Sequence, residues 1–124
     1  MKSKKMILII DDNKKFTDRI VAMLQELDTI GNIIVAMNYE DGCKLFNEQK
    51  PQTVLLDINL PGKNGIELLK LIKKSDGNCE VIMITNHSNN FYRQQCTDLG
   101  AAYFLDKTLD FHLVPGIVNR QLAN

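Results

Sequence analysis

No apolar run in the 124-residue chain exceeds seven residues, whereas a helix that crosses a bilayer needs about 20. A signal-peptide core is missing too, because Lys2, Lys4 and Lys5 lead straight into a short strand-like stretch. A cytoplasmic protein with no membrane partner is therefore expected. The chain also lacks net charge: 15 Lys plus Arg stand against 15 Asp plus Glu. Without a global field nothing draws it onto nucleic acid, and no direct nucleic-acid partner is expected. Lys2, Lys4, Lys5, Lys14 and Lys15 have no aromatic interleaved before Phe16, so they read as a solvated rim. Cysteine is scarce. Cys43, Cys79 and Cys96 form no C-x-x-C pair and have no His close in sequence, so the expectation is reduced, mostly buried thiols and neither a disulfide framework nor a zinc site. Repeats and low-complexity tracts are absent and Gly and Pro stand singly at turns, so residues 1–124 are read as one domain.

What is present is a strict alternation. With 44% hydrophobic residues there is material for a real core. Met6 to Ile10 is uniformly apolar and too short for a helix, as a strand buried on both faces would be. Asn13 can cap a helix that carries Phe16, Ile20, Met23, Leu24 and Leu27 at helical spacing, with Gly31 beyond its end. Ile33 to Met37 is the second strand, and a helix from Glu40 to Gln49 follows, stopped by Pro51 before the strand Thr53 to Leu56. Leu60-Pro61-Gly62-Lys63-Asn64-Gly65 is loop chemistry before a helix with Ile66, Leu69 and Ile72 on one face, ended by Ser75-Asp76-Gly77. The strand Glu80 to Ile84 closes at Thr85. The next helix has only Tyr92, Cys96 and Leu99 to bury before Gly100, its expected C-terminal cap, and should be loosely held. Ala101 to Leu105 is the fifth strand. The last helix contains Ile117, Val118 and Leu122, with Pro115 tolerable only in its first turn. Five alternations with short connections predict an α/β fold: a three-layer, doubly wound, five-stranded parallel sheet.

Sheets of this kind build sites outside the carboxyl ends of their strands. Here the first strand ends in Asp11 and Asp12, the third in Asp57, the fourth in Thr85 and the fifth near Lys107. Three carboxylates at one edge repel, and protonation or a cation must relieve them. Oxygen ligands favour a hard ion, and one or two carboxylates completed by waters and a phosphate suit Mg²⁺. Lys107 adds a point charge and Thr85 a hydroxyl donor, which describes a pocket for a phosphoryl group beside a carboxylate. Asp57 suits the nucleophile, since it leaves Asp11 and Asp12 to hold the ion.

Asp11-Asp12, Asp57 followed by Leu60-Pro61-Gly62 and Gly65, Thr85 and Lys107 together resemble the CheY-like receiver domains of two-component response regulators. The resemblance spans essentially the whole chain. It implies a flavodoxin-like fold with strand order 2-1-3-4-5. It also implies that Asp57 accepts a phosphoryl group from a sensor histidine kinase, a histidine phosphotransfer protein or a small donor. Asp12, Asp57 and the Asn59 backbone carbonyl would hold Mg²⁺, with Asp11 acting largely through metal-bound water, while Thr85 and Lys107 bind phosphoryl oxygens. Phosphorylation would draw Thr85 inward and let Phe104 turn inward, changing a surface read by a downstream protein. The chain would be a switch that catalyses only its own phosphorylation and dephosphorylation. It departs from the family at three places. Asn86 replaces the usual small residue after the Thr and stands over the site. Thr108 replaces a proline that is commonly cis, so a trans bond or local strain is expected, a non-proline cis bond costing about 2.5–4 kcal/mol. Phe104 has no hydroxyl, which leaves its position to packing. Asn59, Asn86 and His87 are expected to flank the entrance and tune hydrolysis. Two other readings are weaker. A Mg²⁺-dependent aspartyl phosphatase needs a general acid two residues after the nucleophile, which Asn59 cannot be, and an FMN module needs a phosphate cradle where the first turn is acidic.

Overall fold

The computed structural model describes residues 5–86 and 89–123. The chain runs β1 (Lys5–Ile10), α1 (Lys14–Leu24), β2 (Ile30–Ala36), α2 (Tyr39–Gln49), β3 (Thr53–Leu56), α3 (Gly65–Ser75), β4 (Glu80–Thr85), α4 (Asn90–Asp98), β5 (Tyr103–Asp106), a 3₁₀ turn (Phe111–Leu113) and α5 (Val114–Ala123). All strand pairs are parallel, in the order β2-β1-β3-β4-β5. This is the expected doubly wound, flavodoxin-like sheet.

The period-two geometry of a strand divides its side chains between two layers. Ile7, Ile9, Leu55, Ile82, Ile84 and Leu105 face α1 and α5, where they meet Phe16, Ile20, Leu24, Val114, Ile117 and Val118. Leu8, Ile10, Val54, Leu56, Val81 and Met83 face the other way, against residues of α2, α3 and α4 such as Phe46, Leu69, Ile72 and Cys96. Both faces are covered, which is why the central strands are apolar without alternation.

Helix starts follow the side chains that cap them. Asn13, Asn38, Asn64 and Asn89 each place a side-chain oxygen on a backbone N–H of the first turn, at 3.1, 2.8, 3.1 and 2.9 Å respectively. Pro115 is the second residue of α5, inside the first turn, where its missing N–H leaves no intrahelical bond unmade. The side chain of Leu122 lies outside the described residues.

Two boundaries differ from the pattern. β2 begins at Ile30 and ends at Ala36, so Gly31 lies within it. The pairing steps from Lys5–Ile30 to Met6–Asn32, which leaves Gly31 as the extra residue of a bulge, a place where a residue without a side chain fits readily. β5 starts at Tyr103, two residues late, because Gly100 and Ala101 finish α4. Gly100, at φ 100°, donates to Thr97 O at 3.0 Å, and Ala101 donates to Cys96 O at 3.0 Å, the two bonds of a Schellman ending. Among the described residues no peptide bond is cis, so Lys107–Thr108 is trans as expected.

Helix α4 buries only Cys96 completely and leaves Phe91 72% exposed, whereas α3 buries Ile66, Leu68, Leu69 and Ile72. Apolar burial is what raises the free energy of local opening. Native-state amide exchange should therefore be at least about tenfold faster in α4 than in α3. Equal protection of the two helices would show that α4 is anchored by something other than its apolar face.

Candidate functional site

The site is built at the ends of four strands. Asp11 N–H donates to Ala36 O and Asp57 N–H donates to Ile10 O, both at 3.0 Å, so the sheet ladder continues one residue past β1 and β3 and fixes both acids at the same edge. Lys107 N–H donates to Thr85 O at 3.0 Å, which does the same beyond β5. Asp11, Asp57 and Thr85 are all buried.

The side chains then converge. Lys107 Nζ lies 2.7 Å from Asp11 Oδ2 and 3.0 Å from Asp57 Oδ2, with all three side chains at most 8% exposed. The same ammonium sits 4.6 Å from the centre of the Phe16 ring, a cation–π contact that forms one wall of the site. The other oxygens are also held: Asn13 N–H donates to Asp11 Oδ1 at 2.9 Å and Asn59 N–H donates to Asp57 Oδ1 at 3.3 Å. Burial pushes the Asp11 carboxyl above its ordinary value, against the opposing pull of Lys107 and the Asn13 N–H, and the Asp57 charge adds to the rise. Burial alone would lower Lys107, but its contacts with the Asp11 and Asp57 carboxylates carry it above the ordinary lysine value, so the ammonium stays charged at neutral pH.

One ammonium does not neutralise this cup. Asp11, Asp12 and Asp57 bring one carboxylate oxygen each to within 4.8 Å of one another, with Asp12 exposed at the mouth. Asp11 Oδ2 is buried and has no donor at hydrogen-bond angles, leaving the ammonium as its ionic contact. An all-oxygen donor set of excess negative charge, with an under-satisfied buried oxygen, fits a hard divalent cation.

A glycine is required behind the loop that follows Asp57. Gly65 N–H donates to Ile58 O, and a Cβ on Gly65 would stand 1.9 Å from Asp57 O. The reason for Gly65 is thus close backbone approach, beyond the loop chemistry its neighbours suggest. Of the other expected residues, Asn59 and Asn86 are exposed at the rim, and His87 lies outside the described residues. Phe104, expected to turn inward on phosphorylation, is already only 6% exposed in the layer under α4. Arg93 of α4 covers it, donating from Nη1 to Phe104 O at 3.0 Å with its guanidinium 5.0 Å from the ring centre. Sequence reading missed Arg93, since an Arg on a polar helix carries no signal of its partner.

Fold and acidic cup together define a doubly wound architecture of the CheY-like kind. Residues 7–118 match the family described as the response regulator receiver domain, and the chain belongs to that family. It is 32% identical over 103 residues to a protein-glutamate methylesterase/protein-glutamine glutaminase of Clostridium acetobutylicum, covering 82% of this chain and 30% of that protein. It is 28% identical over 101 residues to the response regulator GacA of Pseudomonas aeruginosa, covering 82% of this chain and 47% of that protein. The chain thus spans 30% and 47% of the length of these two curated relatives. Among solved structures, the signal receiver domain of a DNA-binding response regulator protein from Colwellia psychrerythraea superposes with a TM-score of 0.90 at 28% identity, over 98% of this chain and 100% of that one. The BeF3-activated DrrB receiver domain gives a TM-score of 0.87 at 25% identity, also over 98% of this chain and 100% of that one. Among the described residues no helix is long and apolar enough to cross a membrane.

Lys107→Met should strand two buried carboxylates and destabilise the fold by about 3 kcal/mol at pH 7. A buried acid whose folded pKa is raised binds more protons in the folded state, so its penalty grows as pH rises. Urea unfolding should therefore show a smaller loss at pH 4 than at pH 7; an equal loss at both would mean that Lys107 acts by packing alone. Gly65→Ala should cost about 3 kcal/mol, read as a fall in Tm of about 10 °C, because Asp57 O must move.

Proposed function

We propose that this chain is a phosphorylation-dependent signalling switch in which Asp57 accepts a phosphoryl group from the phosphohistidine of a sensor kinase or histidine phosphotransfer protein. The single observation that carries the reading is the buried Lys107 ammonium held between Asp11 and Asp57, beside a third carboxylate. Activation of the DrrB relative by BeF3 supports it.

The roles follow from the contacts. Asp57 is oriented by Lys107 on one oxygen and by the Asn59 N–H on the other. Its carboxylate attacks phosphorus, an oxygen–phosphorus bond forms, the bond to the imidazole nitrogen breaks, and the electron pair leaves with the ring. Lys107 is placed to follow the transferred oxygens, and the Thr85 hydroxyl, at the end of the neighbouring strand, is the second donor to them. Asp11, Asp12, Asp57 and the backbone carbonyl of Asn59 would hold Mg²⁺, which supplies the positive charge that lets an anionic nucleophile approach an anionic donor. Asn59, Asn86 and His87 set the rate at which water reverses the modification.

The output passes through protein surfaces and makes no direct contact with nucleic acid. Phe104 is already packed beneath Arg93, so the transition acts on a clasp between α4 and β5, and α4 is the element held by least apolar burial. The chain catalyses only its own phosphorylation and dephosphorylation, in the cytoplasm.

Incubation with Mg²⁺ and phosphoramidate should add one phosphoryl mass to the wild type and none to Asp57→Asn, and chelation of the metal should abolish the gain. Unchanged labelling of Asp57→Asn would move the acceptor elsewhere.

A further inference from the structure

Beside the acidic cup lies a cleft of about 370 Å³ that the roles above do not use. It shares Lys107, Asn13 and Asn86 with the cup and extends along α1 to Lys15 and Arg19. Three cations line it and no acid does. Lys15 and Arg19 are four residues apart on α1 and so share one face of it, an arrangement of like charges that opposes helix formation. Among the described residues no carboxylate forms an ion pair with Lys15 or Arg19; Lys14, their neighbour on α1, pairs with Asp18. Arg19 is nonetheless held in place: its guanidinium lies 4.2 Å from the centre of the Phe111 ring, which in turn packs edge-on against Phe16 at 5.7 Å. In a chain of zero net charge, the two unpaired cations Lys15 and Arg19, the second held against Phe111, on one wall of a cleft beside the proposed phosphoryl site are a local arrangement for an anion.

We propose that this cleft receives the leaving side of small acyl phosphate donors, with Lys15 and Arg19 as the residues that select for them. The proposal rests on Asp57 being the phosphoacceptor. When Asp57 attacks an acyl phosphate, the bond between phosphorus and the bridging oxygen breaks and its electron pair departs with a carboxylate, so negative charge grows on the leaving side. A phosphoramidate or phosphoimidazole loses a phosphorus–nitrogen bond, and the nitrogen, having taken its proton from solvent, leaves as a neutral amine or imidazole. Cations on the leaving side favour the first departure over the second, because only there does charge develop toward them. They also raise the local concentration of a dianionic donor, an effect that salt screens.

The test compares the initial rates at which acetyl phosphate and phosphoramidate label the intact chain in the presence of Mg²⁺, read by intact mass. In the Lys15→Gln, Arg19→Gln double variant the ratio of the acetyl phosphate rate to the phosphoramidate rate should fall about five- to tenfold from that of the wild type. Added salt should lower the wild-type ratio more than the variant ratio. Arg19→Lys, which keeps the charge, should retain most of the preference. Lys14→Gln removes one charge from the same helix outside the cleft and should leave the ratio unchanged. A ratio unmoved by the double variant, or moved as far by Lys14→Gln, overturns the proposal. Labelling that persists in Asp57→Asn overturns the reading beneath it, a result distinguishable from either of the others.

Discussion

The constraint on which the rest depends is an ammonium shared by two buried carboxylates. Burying three charged side chains is expensive in desolvation, and the pairing offsets that only with good geometry and satisfied remaining atoms. Asp57 meets that condition through the Asn59 N–H, whereas Asp11 Oδ2 meets it only in part. A cluster this acidic is poorly explained as a stabilising device, since apolar side chains of similar volume would serve the core at least as well. It is readily explained as a site that holds one oxygen in place and waits for added positive charge.

The sheet order decides which residues can take part. β3 and β5 are separated by β4, so Lys107 has to reach past one strand, roughly 10 Å, to touch Asp57, and past another to touch Asp11. A flexible four-carbon stem spans that gap, and Thr85 at the end of β4 is small enough to let it cross. Phe16, in the first turn of α1, gives the stem a wall to lie against. The same geometry leaves Lys107 on the border between the cup and the basic cleft along α1. One side chain therefore borders both the carboxylate cup and the cleft.

Stability is distributed unevenly around this centre. α1, α3 and α5 each bury several apolar residues, while α4 is held by Cys96, by half-buried neighbours and by the Arg93 contact with Phe104. An element of low apolar burial is easily displaced, and the Arg93 clasp ties α4 to β5, the strand that leads into Lys107. The absence of a hydroxyl on Phe104 fits this arrangement, because ring position is governed by packing and by the guanidinium above it.

The amino-acid order alone determined the alternation of elements, the two-sided burial of the strands, the Asn13 cap and the polar residues that close the first, third, fourth and fifth strands. All of these depend on local periodicity or on a residue's own hydrogen-bonding reach. It could also show that Asp11, Asp12, Asp57, Thr85 and Lys107 end strands, hence that they share an edge. What it could not determine was which of them touch. The 2.7 and 3.0 Å contacts of Lys107, the bulge at Gly31, the need for Gly65 behind Asp57 and the covering of Phe104 by Arg93 all join residues that are not neighbours in the chain or depend on strand register. Such contacts are set by how the layers pack, and a period of two or 3.6 residues carries no record of them.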